Sequence, residues 1–358
     1  MVLFSKCEYI CLDVPQLTRA LIKGVLAFLR DDGWEIPPDS PTTHIFGDEE
    51  IRYLPLVDGV LDFSHFMDDE MIIDLIKNAL CCKIRKYYRV AQISAATHCK
   101  IVLVRDCSRQ CNFRVIADKK RFAESSRADK EIIPYKSSIN SCVEMFYDDG
   151  FGINIPSFML LLHKAIESFT VDDICYLKNL SLHSIRINFK GVSSFSDDVE
   201  QDSFGVEADD IIYMMCRTLS PTVNNLHIFS NDGDFCQLLG MFTHVKLYSV
   251  KGIRILPRYS GSLVPILTAL RGKGTGVNGV HAILTPVQYK RLMIDVRNGT
   301  LVTVDDIFKR LLTFTFLDQT KLWKHIEHNL NLVSFDRIDN YVLYQIYYYL
   351  MHVDGLIN

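Results

Sequence analysis

Two acidic clusters stand close together in the sequence, and their residue types and spacing suit the binding of divalent cations. The first comprises Glu207, Asp209 and Asp210, and the second comprises Asp232 and Asp234. The residues between them follow a helical apolar pattern and then form a short apolar run, which predicts a helix and then a strand. Acids in the first turn of a helix and acids after the carboxyl end of a strand can lie side by side in an α/β layer. Because crowded carboxylates repel one another, such a site is stable mainly when cations neutralise it.

Each cluster taken alone has a simpler interpretation. Acids at the start of a helix usually complement the helix dipole, and Asp-Gly-Asp after a strand is most often a turn. Together, however, the motif EADD, the strand that follows and the motif SNDGDF resemble the signature of the flap endonuclease / 5′→3′ exonuclease family. The likeness is closest to the ribonuclease H type of T-even bacteriophages, and only Asn231 departs from the family form SSDGDF.

The resemblance implies a PIN-like α/β fold with a central, mostly parallel sheet flanked by helices. It also implies a helical arch or clamp and a helical C-terminal part with a helix–turn–helix element that binds phosphates. The nuclease domain is then expected over residues 1–258 and the helical domain over 259–358. Within the first domain we expect insertions at 31–70 and 150–205 and the arch or clamp at 109–148.

Two further acids follow predicted strands earlier in the chain. Asp13 ends an apolar run and precedes an amphipathic helical pattern, and Asp106 ends a second apolar run. An acid at the carboxyl end of a strand faces the usual ligand crevice of an α/β sheet, although Asp13 could instead cap the helix that follows it. The resemblance implies that these acids join the two clusters in holding two Mg²⁺ ions, or Mn²⁺ in their place. The implied metal ligands are Asp13, Asp106, Glu207, Asp209, Asp210, Asp232 and Asp234.

The remaining periodicity predicts the elements that must position these acids. We expect helices over residues 15–30, 69–92 and 154–169, a helical segment over 320–353, strands over 8–13, 99–106 and 184–189, and a hairpin of strands over 245–250 and 253–256. The tyrosines of the last helical segment are expected to serve packing more than base stacking.

A basic stretch lies between the second strand and the middle of the chain. Residues 83–136 carry 14 Lys and Arg against five Asp and Glu, whereas the whole chain has a net charge of −4. Such segregation suits a protein that grips phosphates with one part and cations with another, although an ordinary solvated helix surface would look the same. The family places its arch here. The resemblance implies that Lys119, Lys120 and Arg121 act on the scissile phosphate and that Phe113, Arg114 and Arg127 contact the nucleic acid.

A glycine-rich turn follows a predicted helix at residues 265–271. Its backbone N–H groups could bind the phosphates of duplex DNA, because glycines permit close approach; a flexible linker is the alternative. The implied contacts are Gly272, Lys273, Gly274, Gly276 and Gly279. The family form of this turn carries two acids that are absent here, and one of the positions is Lys273. We therefore expect reduced or altered activity in preference to a complete loss of activity.

Composition limits the class of protein. The chain has 358 residues, of which 48% are hydrophobic, which fits a folded globule and not a disordered chain. No apolar run approaches the ~20 residues that cross a bilayer, and no signal peptide is evident, so we expect a cytoplasmic protein, of a phage in its bacterial host if the resemblance extends that far. Eleven cysteines without a C-x-x-C pair indicate reduced thiols.

The resemblance implies a 5′→3′ exonuclease or flap endonuclease that hydrolyses phosphodiester bonds with two metal ions, with RNA-primer removal and ribonuclease H activity as further expectations. Its partners would be DNA and RNA–DNA hybrids with 5′ ends or flaps and a single-stranded-DNA-binding protein, and the chain would be a monomer. Two alternatives are a lapsed nuclease that only binds branched nucleic acid or a replication partner, and a phosphatase of the haloacid-dehalogenase type. The second lacks its D-x-D-x-T motif, since Cys236 stands where the threonine belongs.

Overall fold

The computed structural model describes most of the chain. The described residues are 7–31, 33–35, 52–53, 56–57, 59–107, 113, 143–146, 151–174, 177–190, 203–219, 221, 224–256, 259–272, 283–314, 319–353 and 355–357.

The strands fall into one large sheet and three small ones. Their bounds are β1 Cys7–Asp13, β2 Trp34–Glu35, β3 Arg52–Tyr53, β4 Leu56–Val57, β5 Val60–Leu61, β6 His98–Val104, β7 Val143–Phe146, β8 Phe151–Asn154, β9 Leu180–Ile185, β10 Asn188–Lys190, β11 Ser203–Gly205, β12 Asn224–Phe229, β13 Val245–Tyr248 and β14 Arg254–Ile255. The central sheet has six strands in the order β14-β13-β12-β1-β6-β9. All its neighbours pair in parallel except β13 and β14, which form the predicted antiparallel hairpin.

Helices cover both faces of this sheet. Their bounds are α1 Val14–Asp31, α2 Glu70–Val90, α3 Ile155–Glu167, α4 Ala208–Thr218, α5 Leu238–Met241, α6 Val264–Arg271, α7 Pro286–Arg297, α8 Val304–Leu311, α9 Gln319–Val333 and α10 Asn340–His352. A mostly parallel central sheet flanked by helices is the α/β fold class that the sequence predicts. Among the described residues, no helix is both long and apolar enough to cross a membrane.

Local sequence accounts for where the helices begin. Asp69 accepts hydrogen bonds from two backbone N–H groups of α2, and Asn154 accepts one from α3, so each satisfies donors that the helix leaves open. Thr285 and Thr303 form capping boxes at α7 and α8. The predicted helices over 15–30, 69–92 and 154–169 are therefore present with ends within about two residues.

One strand prediction needs correction. The segment 184–189 is not a single strand, because β9 ends at Ile185 and β10 begins at Asn188. The chain leaves the central sheet between them, and β10 pairs antiparallel with β11 instead. The apolar residues of this segment belong to two different strands, which periodicity alone does not separate.

Two apolar cores lie on opposite faces of the central sheet. One combines Ile10 and Leu12 of β1 with the buried sides of α1, α2 and α3. The other combines Tyr9 and Cys11 with α4 and α10, because successive side chains of a strand point to opposite faces. A third core joins α6, α7, α8 and α9. The division of the chain at 258/259 stays a prediction, since α10 packs on α4 whereas the other late helices form their own core.

Two glycines allow the sheet layer to contact the late helices closely. A Cβ built on Gly240 in α5 would lie 2.9 Å from the Cα of Gly261, and one on Gly261 would lie 2.8 Å from the carbonyl oxygen of Gln237. The obstructing atoms are backbone atoms, which cannot rotate away. Both positions therefore require glycine for this junction to close.

We expect Gly240→Ala to lower the free energy of unfolding by ~1–3 kcal/mol, because the added methyl group overpacks a backbone contact. Gly24→Ala is the matched control, since Gly24 lies in α1 and a Cβ added to it would meet no atom within 4 Å. Alanine there should stabilise the protein by up to about 1 kcal/mol through helix propensity. Urea unfolding followed by circular dichroism measures both, and equal effects of the two substitutions would contradict the close contact.

A candidate acidic site at the carboxyl edge of the sheet

Three neighbouring strands carry the predicted acids to one edge of the sheet. Asp13 is the last residue of β1, Asp106 follows β6, and Asp232 follows β12. Strand β1 lies between the other two, and all three run in parallel, so their carboxyl ends meet at the same edge. The structure thus brings together acids that are more than 200 residues apart in the chain.

Asp13 occupies the centre of this edge and is 2% exposed. Burial raises the pKa of its carboxyl group to about 8; a hydrogen bond from Ser230 opposes the rise, and the nearby carboxylates of Asp106 and Asp232 add to it. The hydroxyl of Ser230 donates to Oδ2 of Asp13 at 2.7 Å, and the backbone N–H of Gln16 also donates to this carboxylate. Asp13 therefore accepts a hydrogen bond from the start of α1, as a capping residue does, and also faces two other acids, as a metal ligand would.

Asp106 is fixed by the helix that carries the first acidic cluster. Its Oδ1 accepts a hydrogen bond of 2.7 Å from the backbone N–H of Ala208, at the first turn of α4. A carboxylate at a helix N-terminus is stabilised by the helix dipole as well as by the hydrogen bond. Glu207 is the residue that precedes α4, yet its side chain makes no capping hydrogen bond, and it is 6% exposed. The acid that caps this helix comes from another strand.

The hairpin of β10 and β11 holds the segment that leads to Glu207. The N–H of Val206 donates to the carbonyl oxygen of Ile187 at 3.3 Å, and the N–H of Cys107 donates to the carbonyl oxygen of Val206 at 3.2 Å. A Cβ built on Gly205 would lie 2.1 Å from Cβ of Cys107, so only glycine permits this approach. The backbone before Glu207 is therefore locked to the backbone after Asp106.

The second acidic cluster forms a turn that also orients its first carboxylate. Oδ1 of Asp232 accepts a hydrogen bond of 2.9 Å from the N–H of Asp234, as expected for an Asx turn. The N–H of Asp232 in turn donates to Oγ of Ser230 at 2.9 Å, so a chain of hydrogen bonds joins this loop to Asp13. Oδ1 of Asn231 accepts from the N–H of Val250 at 3.1 Å. Asn231, the residue that departs from the family motif, thus links its loop to the turn between β13 and β14.

The other predicted ligands lie close by in the chain and differ in exposure. Asp209 is half-buried, Asp210 is fully buried, and Asp234 is 8% exposed. Within the described residues, no group of three or more His, Cys, Asp and Glu side chains is placed so that it could hold a metal ion. The donor set itself consists of carboxylate oxygens, which are the ligands that Mg²⁺ and Mn²⁺ take in proteins. Coordination by these seven acids stays a prediction.

Several predicted contacts fall outside the described residues, namely Lys119, Lys120, Arg121, Arg114, Arg127, Lys273, Gly274, Gly276 and Gly279. Two others are described. Phe113 is half-buried and packs against the core that contains α4 and α10. Gly272 ends α6 with a φ of 73°, the left-handed conformation that glycine adopts without strain. The contact of both residues with nucleic acid stays a prediction.

Four of the five late tyrosines are more exposed than packing predicts, whereas Tyr341 is half-buried. Tyr344, Tyr347, Tyr348 and Tyr349 of α10 are between 37% and 59% exposed. The buried side of this helix consists instead of Val342, Leu343, Ile346 and Leu350, which cover α4. The tyrosines are therefore surface residues.

A basic cluster that the sequence analysis missed adjoins the acidic edge. Arg105 directly precedes Asp106, and its N–H donates to the carbonyl oxygen of Ile185 at 2.9 Å, which brings it beside Arg186. Nη1 of Arg105 lies 3.4 Å from Oε1 of Glu167 in α3, one helical turn beyond His163. The pKa of His163 is lowered to about 4, chiefly by burial and also by the charges of Arg105 and Arg186, while Glu167 opposes the shift. The signal in the sequence was an arginine directly after each of two neighbouring strands.

Among known proteins, solved structures align with nearly the whole chain, whereas no protein-family model and no curated protein matches it. A structure of the T5 D15 protein co-crystallized with metal ions aligns with a TM-score of 0.43 at 12% identity, covering 96% of this chain and 98% of that one. A mutant of the T5 5′-exonuclease aligns with a TM-score of 0.45 and the same identity and coverage.

We expect the stability of the protein to fall between about pH 6.5 and pH 4 in part through His163. Its folded pKa lies below the unfolded value of 6.5, so its contribution is complete above that pH and is lost as the pH falls towards 4. His163→Gln should therefore lose less stability than the wild type across this window. Urea unfolding at stepped pH measures the difference, and His65→Gln, at an exposed histidine, is the control. Parallel curves for wild type and His163→Gln would contradict the buried, neutral imidazole.

Proposed function

We propose that this chain is a divalent-metal-dependent 5′ nuclease, acting as a 5′→3′ exonuclease or flap endonuclease on DNA and RNA–DNA hybrids. The observation that carries the proposal is the convergence of Asp13, Asp106 and Asp232 at the carboxyl edge of three adjacent strands. Acidic residues from separate motifs have no structural reason to crowd at one place, because like charges repel. The resemblance of the motifs to the 5′ nuclease family supports the same conclusion.

The proposed ligands are the seven acids named above, of which Asp106 and Asp232 act directly on the carboxyl group of Asp13. Two Mg²⁺ or Mn²⁺ ions held by these residues would supply an activated water and would stabilise charge on the phosphate. The chain contributes orientation. Ser230 fixes Asp13, and the N–H of Ala208 fixes Asp106. Hydrogen-bonded ligands of this kind hold their metal more tightly than free ones.

The proposal extends to residues outside the described part of the chain. Lys119, Lys120 and Arg121 would contact the scissile phosphate from the arch, and the turn at 272–279 would bind duplex phosphates. Removal of RNA primers in DNA replication, ribonuclease H activity and contact with a single-stranded-DNA-binding protein belong to the same proposal, as do a monomeric state and a phage protein's place in the bacterial cytoplasm. These follow from the resemblance alone.

The second candidate is a lapsed nuclease that binds branched nucleic acid or a replication partner without cutting it. One observation favours it, which is the replacement of the acids of the glycine-rich turn, with Lys273 at one of the two positions. The retention of the acids opposes it, because carboxylates crowded beside one another repel and a site without a cation gains nothing from that repulsion.

We expect Mg²⁺-dependent cleavage of a 5′-labelled flap or an RNA-primed duplex by the wild-type protein. Asp232→Asn should reduce the rate by at least ~100-fold, because it removes a ligand charge. The asparagine keeps an Oδ1 that can accept the hydrogen bond from Asp234, so the turn is preserved. Denaturing electrophoresis of the products measures the rate.

Asp74→Asn is the control, since Asp74 is an exposed acid of α2 that pairs with Lys77 on the same helix. It should cleave at the wild-type rate. Equal cleavage by Asp232→Asn, or no cleavage by the wild type with Mg²⁺ or Mn²⁺, would reject a metal-dependent nuclease. Binding of the flap without cleavage would favour the second candidate.

A further inference from the structure

The basic cluster of Arg105, Arg186 and His163 lies at one corner of the sheet, where β6 and β9 end. Val104 and Ile185 are paired in register and point into the core with α4 and α10. The residues after them therefore point to the opposite face, where α3 packs. The two arginines thus meet His163 of α3, and the effect of both on the pKa of His163 agrees with the closeness of the three groups.

Three nitrogens of this cluster are buried without a hydrogen-bond partner in the described structure. They are Nε of Arg105, Nε of Arg186 and Nε2 of His163. A buried polar atom that loses its hydrogen bonds costs stability, and the cost is greater when its group is charged. Such atoms are rare in folded proteins, and each requires an explanation. Three at one corner point to a shared cause.

Among the described residues, little negative charge balances the cluster. Glu167 is the acid that contacts it, and its side chain is 67% exposed, so solvent weakens the attraction. That contact uses Nη1 of Arg105 and leaves Nε of the same guanidinium group without a partner. In the described part of the chain, two arginines and a histidine therefore lie together with the solvated carboxylate of Glu167 against Arg105. An anion that entered this corner would relieve the repulsion and satisfy the donors.

We infer that Arg105, Arg186 and His163 form a binding site for a phosphate group. A guanidinium group presents its donors in a planar fork that matches the oxygens of phosphate. A phosphate has several acceptor oxygens that point in different directions, so one group can accept from three side chains, whereas a carboxylate has two oxygens in one plane. The imidazole gains the most, since a bound anion favours its protonated form, which has two donors.

This site is separate from the acidic edge but adjoins it. Arg105 and Asp106 are consecutive, and their side chains leave the strand in opposite directions. The binding of phosphate requires neither a metal ion nor hydrolysis. If the chain is a nuclease, the phosphate belongs to the strand beside the bond that is cut, and this choice of source rests on the proposed function.

The first test measures the binding of inorganic phosphate to the full chain by isothermal titration calorimetry, with EDTA present so that metal-bound phosphate does not contribute. The wild type should bind phosphate. Arg186→Gln should weaken binding by at least about fivefold, because it removes one charge-assisted contact. Arg186→Lys should also weaken binding, because an ammonium group keeps the charge but loses the fork.

Lys164→Gln is the matched control. Lys164 is the neighbour of His163 on α3, but its Nζ pairs with Oδ1 of Asp68 at 2.8 Å and also donates to the carbonyl oxygen of Met67. This variant should bind phosphate like the wild type. Thermal unfolding without phosphate shows whether each variant folds, and Arg105→Gln replaces Arg186→Gln if the latter does not. Equal binding by all variants, equal loss in Lys164→Gln, or no binding by the wild type to phosphate would overturn the site.

The second test distinguishes the sources of the phosphate. A single-stranded oligonucleotide with a 5′-phosphate and the same strand with a 5′-hydroxyl are titrated in EDTA. A preference for the 5′-phosphate that disappears in Arg186→Gln supports a terminal phosphate, and equal weakening of both strands supports an internal phosphodiester. Weakening of neither strand would overturn the site as one for nucleic acid. Cleavage with Mg²⁺ is scored separately, so that a failure of the nuclease proposal leaves this result intact.

Discussion

Electrostatic repulsion between carboxylates that meet where parallel strands end is the main constraint on this structure. Asp13 is the most constrained of them, because it is buried between β6 and β12 and faces an acid on each side. Each acid accepts a hydrogen bond, either from a segment remote in the chain or from its own turn. Asp13 receives Ser230, Asp106 receives the N–H of Ala208, and Asp232 receives the N–H of Asp234. Neutral donors fix the carboxylates without adding a compensating positive charge, as the proposed cation site requires.

The sequence predicted the acids and the elements that carry them, because both depend on local information. An acid directly after an apolar run marks the carboxyl end of a buried strand, and that rule placed Asp13, Asp106 and Asp232 correctly. That rule could not predict which groups donate hydrogen bonds to the acids. Ser230 opens the motif SNDGDF without any sign that its hydroxyl would reach Asp13, since that contact joins residues 217 positions apart. The hydrogen bond from Ala208 to Asp106 likewise depends on how α4 lies against β6.

Alternation along β6 explains why acidic and basic groups adjoin without pairing. Arg105 and Asp106 leave the chain on opposite faces, so the arginine joins His163 on the side of α3 and the aspartate joins α4. The sequence analysis missed the basic cluster because its members, Arg105, His163 and Arg186, come from three separate segments of the chain. The tyrosines of α10 show a related limit. The sequence analysis predicted a helical segment over 320–353 but did not identify which of its aromatic residues would face the solvent.

The contact of Gly205 with Cys107 bears on how this fold can vary in length. The pairing of β10 with β11 forms a hairpin before Glu207. Gly205 at the end of β11 lets this hairpin pack directly against Cys107, the residue after Asp106. Residues 191–202 join the two strands beyond this closure. The length of that connection can therefore change without moving Glu207 relative to Asp106, because the pairing of β10 with β11 and the contact of Gly205 with Cys107 fix the segment between them.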